Sequence, residues 1–183
     1  MTHFELFHLP VTLNVDTSGL SKKYFELQRQ YHPDRFVQAS EAEQEEALQL
    51  SAQVNKAFKT LKDPDETIKY VLQLKGLLEE EEKYQLSPDF LMEIMELNEA
   101  LEEGMTDAMQ AKIDQLKTEL YATVETIITN YQEGLTSEKE LLQVKEYYFK
   151  KKYLDRMVEN LEIWKYENLK VQDFGWQQNE VGK

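Results

Sequence analysis

The chain contains no cysteine. Neither a disulfide nor a thiolate metal site is open to it, and cysteine usage says nothing of its redox compartment. Glycine and proline are scarce, six and four in 183 residues, too few for the many turns that a fold of short strands needs. The glycines stand singly at positions 19, 76, 104, 134, 175 and 182, so a glycine-rich phosphate loop is excluded. Three histidines, His3, His8 and His32, make no metal set without thiolates or a helix-spaced carboxylate beside them. No run of eighteen apolar residues occurs, and the N-terminus has neither the basic-then-apolar pattern of a signal peptide nor the Arg/Ser-rich pattern of a transit sequence. A soluble cytoplasmic protein is expected, with no metal, no cofactor and no membrane partner.

What the chain has in excess is negative charge. Its formal net charge is −14, which argues against nucleic acid as a partner because the phosphates would be repelled. The charge is uneven, −3 over residues 1–70 and −11 over residues 71–183. Against that background Lys22, Lys23, Arg29 and Arg35, with only Glu26 and Asp34 among them, form a local positive patch suited to an acidic protein partner. Long runs rich in Glu, Lys, Leu and Gln favour helix, and an all-α fold is predicted.

The first pair of helices can be read from spacing. Leu20, Tyr24, Leu27 and Tyr31 recur at i, i+4, i+7 and i+11 and line one face, with Lys22, Glu26 and Arg29 pointing away. Pro33 has no N–H and drives His32 out of helical geometry, so the helix stops there and Asp34 falls in an exposed loop. Ser40 with Glu43 is a capping box that opens the next helix, whose stripe runs through Ala47, Leu50 or Ser51, Val54, Ala57 or Phe58 and Leu61. The small residues allow a close antiparallel pair with His32-Pro33-Asp34 at its tip. The apolar segment Phe4 to Pro10 plugs its open side, and Asp63-Pro64-Asp65-Glu66 starts a short further helix with Asp63 as N-cap and Pro64 at N1.

Gly76 followed by the acids Glu79 to Glu82 reads as a boundary. Beyond it Ser87-Pro88-Asp89 starts a helix, Gly104 ends it, Thr106-Asp107 starts a second, Gly134 follows that one, and Ser137 with Glu140 opens a third. Short connections imply an antiparallel three-helix bundle. Phe90, Ile94, Leu97 and Leu101 supply a complete core stripe for its first helix. Leu91, Met92 and Met95 lie outside that stripe and continue into Glu96, Glu99 and Glu103. Two readings stay open for them: core residues of a wide stripe, or an adaptable methionine-rich patch rimmed by charge, the usual form of an interaction site. Ile113, Leu116, Leu120, Val124, Ile127 or Ile128 and Tyr131 complete the core from the middle helix, and Leu154, Met157, Val158, Leu161 and Trp164 from the last.

Residues 1 to about 75 resemble a J domain, the module that activates the ATPase of DnaK-class heat-shock chaperones. The resemblance rests on Tyr31-His32-Pro33-Asp34-Arg35, Asn55-Lys56-Ala57-Phe58 and Leu61-Lys62-Asp63-Pro64 in that order. With an acidic helical half following, the whole chain is similar to the HscB family of co-chaperones in iron–sulphur cluster assembly. That resemblance implies a J domain over 1–75 and a client-binding three-helix domain over 87–171; between them the acidic block marks a linker over 76–86, and the polar composition from 172 onward marks a flexible tail over 172–183. It implies that His32, Pro33 and Asp34 dock on an HscA-type chaperone and promote ATP hydrolysis, with Lys23, Arg29 and Arg35 steering the encounter. It also implies that Leu91, Met92, Met95, Glu96, Glu99 and Glu103, with Tyr153 from the last helix, hold an IscU-type scaffold protein. Tyr153 stands where the family usually has phenylalanine and Met95 where leucine is common. Catalysis then belongs to the partner and the chain is not itself an enzyme. A J-domain protein serving other clients, or an acidic helical scaffold in which His-Pro-Asp is incidental, are the alternatives.

Overall fold

The computed structural model describes residues 1–177, with side chains as far as Tyr166. It is all-α as predicted, with seven helices and no strand among the described residues. No helix is long and apolar enough to cross a membrane among those residues.

Helices α1 (His3–Leu6), α2 (Thr17–Tyr31), α3 (Glu41–Lys62) and α4 (Pro64–Leu74) form the N-terminal half, with a 3-10 turn over Pro33–Phe36. Each starts where a side chain satisfies a free N–H of the first turn. The Ser40–Glu43 capping box opens α3, and the Asp63 carboxylate accepts from the N–H groups of Asp65 and Glu66 to open α4. Helix α3 is central, packed by α1, α2 and α4. Its inward residues Ala47, Ser51, Val54, Ala57 and Leu61 are buried, and the small ones let α2 come close. Asn55 fastens the pair: its Oδ1 accepts from Tyr24 Oη at 2.9 Å and from Gln28 Nε2 at 2.8 Å. The Tyr24 and Phe58 rings stack with centroids 4.0 Å apart. Phe4 and Phe7 are fully buried beneath, as a plug of the open side requires.

The C-terminal half comprises α5 (Pro88–Glu102), α6 (Thr106–Thr129) and α7 (Glu138–Gln177). Ser87 is the N-cap of α5 but its side chain makes no capping bond. Ser137 and Glu140 do form the expected box. One core joins Phe90, Ile94 and Leu97 of α5 to Met109, Ile113 and Leu116 of α6 and to Leu154, Met157 and Leu161 of α7. Trp164 is half-buried rather than part of that core.

The compact units divide at the acidic segment, but not there alone. One contains Met1–Glu82 with Glu125–Lys145, the other Lys83–Val124 with Glu146–Lys183. Helices α6 and α7 therefore each contribute to both, and Ile128, Tyr131, Leu141 and Val144 are buried in the first unit. Within it Lys75 Nζ lies 2.6 Å from Glu133 Oε1, a bond that raises the lysine's pKa. The expected linker has anchors too, since Leu78 is buried and Glu82 pairs with Lys145. Helix α7 runs on to Gln177, through the first half of the expected tail; 178–183 and the side chain of Trp176 lie outside the described residues.

Two carboxylates are held below the ordinary range by lysines. The Lys145 hydrogen bond lowers Glu82. At Asp155 burial pushes upward, but hydrogen bonds from Lys117 and Lys151 together outweigh it. A depressed carboxylate contributes stability that is complete above its unfolded value, about 4, and is lost as pH falls through the lower native value. The thermal midpoint is expected to stay level from about pH 7 to 5 and drop below about pH 4. A Glu82→Gln/Asp155→Asn variant should start lower at neutral pH and fall less steeply in thermal melts across that range.

Candidate functional site

The tip of the α2–α3 pair is built by proline. His32 has φ −63° and ψ 126°, an extended conformation that ends α2, and Pro33 opens the 3-10 turn in its first position. The His32 Nδ1 accepts from the Asp34 N–H at 3.3 Å and lies 3.6 Å from an Asp34 carboxylate oxygen. An imidazole that accepts at Nδ1 has Nε2 as its donor. Both side chains are exposed, so the tip presents a donor and a carboxylate to a partner and no enclosed site for a reaction of its own.

The three basic residues expected to flank the tip differ in what they do. Lys23 Nζ donates to the carbonyls of Phe7 and His8 at 3.0 and 3.1 Å and so ties α2 to the end of α1. Arg35 Nη1 donates to the Arg29 carbonyl at 3.0 Å, one of the last carbonyls of α2 that has no intrahelical donor. Its charge also suits that negative helix end. Arg29 is exposed on the outer face. On the same face, three residues after Lys22 and four before Arg29, stands the exposed Phe25, which pattern reading passes over because a lone apolar residue off the core stripe carries no periodic signal.

The second surface lies on α5. Leu91 is 42 % exposed, Met92 64 % and Met95 62 %, so these residues are not core. Core duty falls to Phe90, Ile94 and Leu97 on the other side of the helix. Met92, Met95, Glu96, Glu99 and Glu103 follow one another at helical spacing and are all exposed. Tyr153 of α7 stands edge-on to Phe90, centroids 6.4 Å apart, which fixes its ring beside the start of α5. The acids are badly placed for the helix itself: its last turn has no basic residue, and negative charge at a helix C-terminus opposes the helix dipole. Their presence there calls for a reason outside the helix. Among the described residues no three His, Asp or Glu side chains converge as a metal site would require.

Comparison with known proteins agrees with both halves. Residues 3–70 match the DnaJ domain family and residues 86–162 the HSCB C-terminal oligomerisation domain family. The chain is 38 % identical over 165 residues to a co-chaperone protein HscB homolog of Shewanella halifaxensis, covering 88 % of this chain and 95 % of that one. It is 36 % identical over 138 residues to one of Burkholderia multivorans, covering 73 % and 79 %. Among solved structures it is similar to the chaperone HscB from Vibrio cholerae, with a TM-score of 0.69 and 31 % identity over 91 % of this chain and 99 % of that one. It is similar also to the human co-chaperone protein HscB, with a TM-score of 0.74 and 29 % identity over 90 % and 82 %. A J domain with an exposed His-Pro-Asp tip, followed by an HscB-type helical domain, makes this chain a member of the HscB family of co-chaperones.

Proposed function

We propose that the chain joins two partners: an HscA-type chaperone of the DnaK class, engaged by the tip, and an IscU-type iron–sulphur scaffold protein, held on α5. His32, Pro33 and Asp34 dock on the ATP-bound chaperone and promote hydrolysis, while Arg29 meets an acidic surface. Lys23 and Arg35 act by fixing α2 and its end, and only secondarily through charge. Leu91, Met92, Met95 and Tyr153 supply apolar contact for the scaffold, and Glu96, Glu99 and Glu103 select a basic rim beside it. In functional terms 1–75 is the activating module, 76–86 its connection and 87–171 the client module. Holding both partners on one chain raises the effective concentration of each for the other.

The observation that carries this reading is the exposed apolar patch on α5 continuing into acids that the helix itself disfavours. Steady-state ATP hydrolysis by the specialised chaperone is the test. This chain and the scaffold added together are expected to stimulate more than either alone, and a merely additive response overturns the coupling. The acids can be tested apart. A Glu99→Lys/Glu103→Lys variant should melt no lower than the wild type, because the charges now suit the helix end, yet bind the scaffold about tenfold more weakly in calorimetric titration.

A further inference from the structure

An open groove of about 390 Å³ borders the tip, at the small end of the roughly 300–1,000 Å³ typical of ligand pockets. Pro33, Asp34 and Val37 line it from the turn and the loop that follows, and Glu41, Glu45 and Leu48 from α3. Val37 is 70 % exposed and Leu48 54 %. Neither serves the core, because the inward stripe of α3 runs through Ala47, Ser51 and Val54, whereas Glu41, Glu45 and Leu48 share a different face at i, i+4 and i+7. The groove is held in shape from within. Gln44 Nε2 donates to the carbonyls of Val37 and Ala39 at 3.4 and 3.0 Å, and the Ala39 N–H donates to the Phe36 carbonyl at 2.9 Å, so the loop is fastened to the helix. Three carboxylates line it and no lysine or arginine does.

We propose that this groove is a second docking site for the same chaperone, taking a chaperone segment in which an aliphatic side chain stands next to a lysine or arginine. The inference rests on the reading of the tip as the chaperone-docking site. Continuity supports it: Pro33 and Asp34 belong to tip and groove alike, so a body seated on one borders the other. Charge complementarity supports it too. The α2 side of the tip carries Lys22 and Arg29 while the groove carries Asp34, Glu41 and Glu45, so a partner with acidic and basic patches fits in one orientation only. The apolar walls supply attraction and the carboxylates set the direction.

The full chain is titrated into the chaperone's ATPase assay as wild type, as Val37→Ser/Leu48→Ser and as Glu41→Gln/Glu45→Gln, with circular dichroism and thermal melting to verify that each is folded. Both variants should need roughly tenfold more protein for half-maximal stimulation and reach the wild-type maximum at saturation, because His32 and Asp34 are intact. The half-maximal concentration of the wild type should also rise with salt more steeply than that of the Gln/Gln variant. If the wild type stimulates and both variants match its half-maximal concentration, the groove proposal fails while the reading of the tip stands. If the variants lose binding of the scaffold or self-association instead, with the chaperone titration unchanged, the occupant is another and the proposal is overturned. If the wild type gives no stimulation, the reading of the tip falls and the groove proposal with it.

Discussion

Replacing His32 with glutamine is expected to return the chaperone's ATP hydrolysis to its rate without this protein, a loss of the entire stimulation. The imidazole sits at an exposed helix end, where substitutions usually change stability by about 0.5 kcal/mol or less, so the melting temperature should hardly move. What is lost is an exposed ring whose Nδ1 is engaged by the Asp34 N–H. Glutamine has polar atoms but no fixed ring to aim them. Scaffold binding should be unaffected, since the residues proposed for it lie on α5 and α7. Asp34→Asn should behave alike, as it removes the carboxylate without changing the side chain's shape. Steady-state hydrolysis at saturating protein is the measurement, and stimulation by His32→Gln equal to wild type would sink the mechanism.

The triple variant Leu91→Ala/Met92→Ala/Met95→Ala is expected to weaken scaffold binding on the order of a hundredfold without lowering the chain's own stability. Burying an apolar side chain is worth about 1.5–3 kcal/mol, and a partial share from three residues reaches the roughly 2.7 kcal/mol that a hundredfold loss requires. The same residues are exposed in the free chain, so truncation opens no cavity there. Ile94→Ala, on the buried face of the same helix, should do the opposite and cost about 2–5 kcal/mol of stability. Calorimetric titration with the scaffold, alongside urea unfolding, separates the two. Wild-type affinity in a folded triple variant would show that the client is held elsewhere.

Much of the fold is legible because its signals are local. Capping at Ser40, Asp63 and Ser137 concerns a side chain and an N–H two or three residues on, and such bonds need no tertiary context. Core stripes on α3 and α5 follow from helical spacing in the same way. Leu91 and Met95 were ambiguous, because a stripe wide enough for two neighbours has the same spacing as an exposed patch. Their exposure is settled by how little of α5 its neighbours cover. Lys23 and Arg35 look like steering charges in sequence, yet each makes hydrogen bonds to carbonyls six to sixteen residues away. The division at the acids is only part of the unit boundary, for a similar reason: the acids at 79–82 suggest repulsion, and Lys145 that receives one of them is more than sixty residues downstream.

The sequence alone therefore determined the all-α class, the helix ends, the position of the His-Pro-Asp tip and the identity of both candidate surfaces. All of these rest on backbone propensity and on neighbours within a few turns. Tertiary structure alone decided that the far ends of α6 and α7 are grouped with the N-terminal helices. It also decided which basic residues are spent on internal bonds, which apolar side chains of α5 remain uncovered, and that Val37 and Leu48 share a groove beside the tip. Each of these depends on what packs over a side chain from distant parts of the chain, and burial of that kind has no local signature.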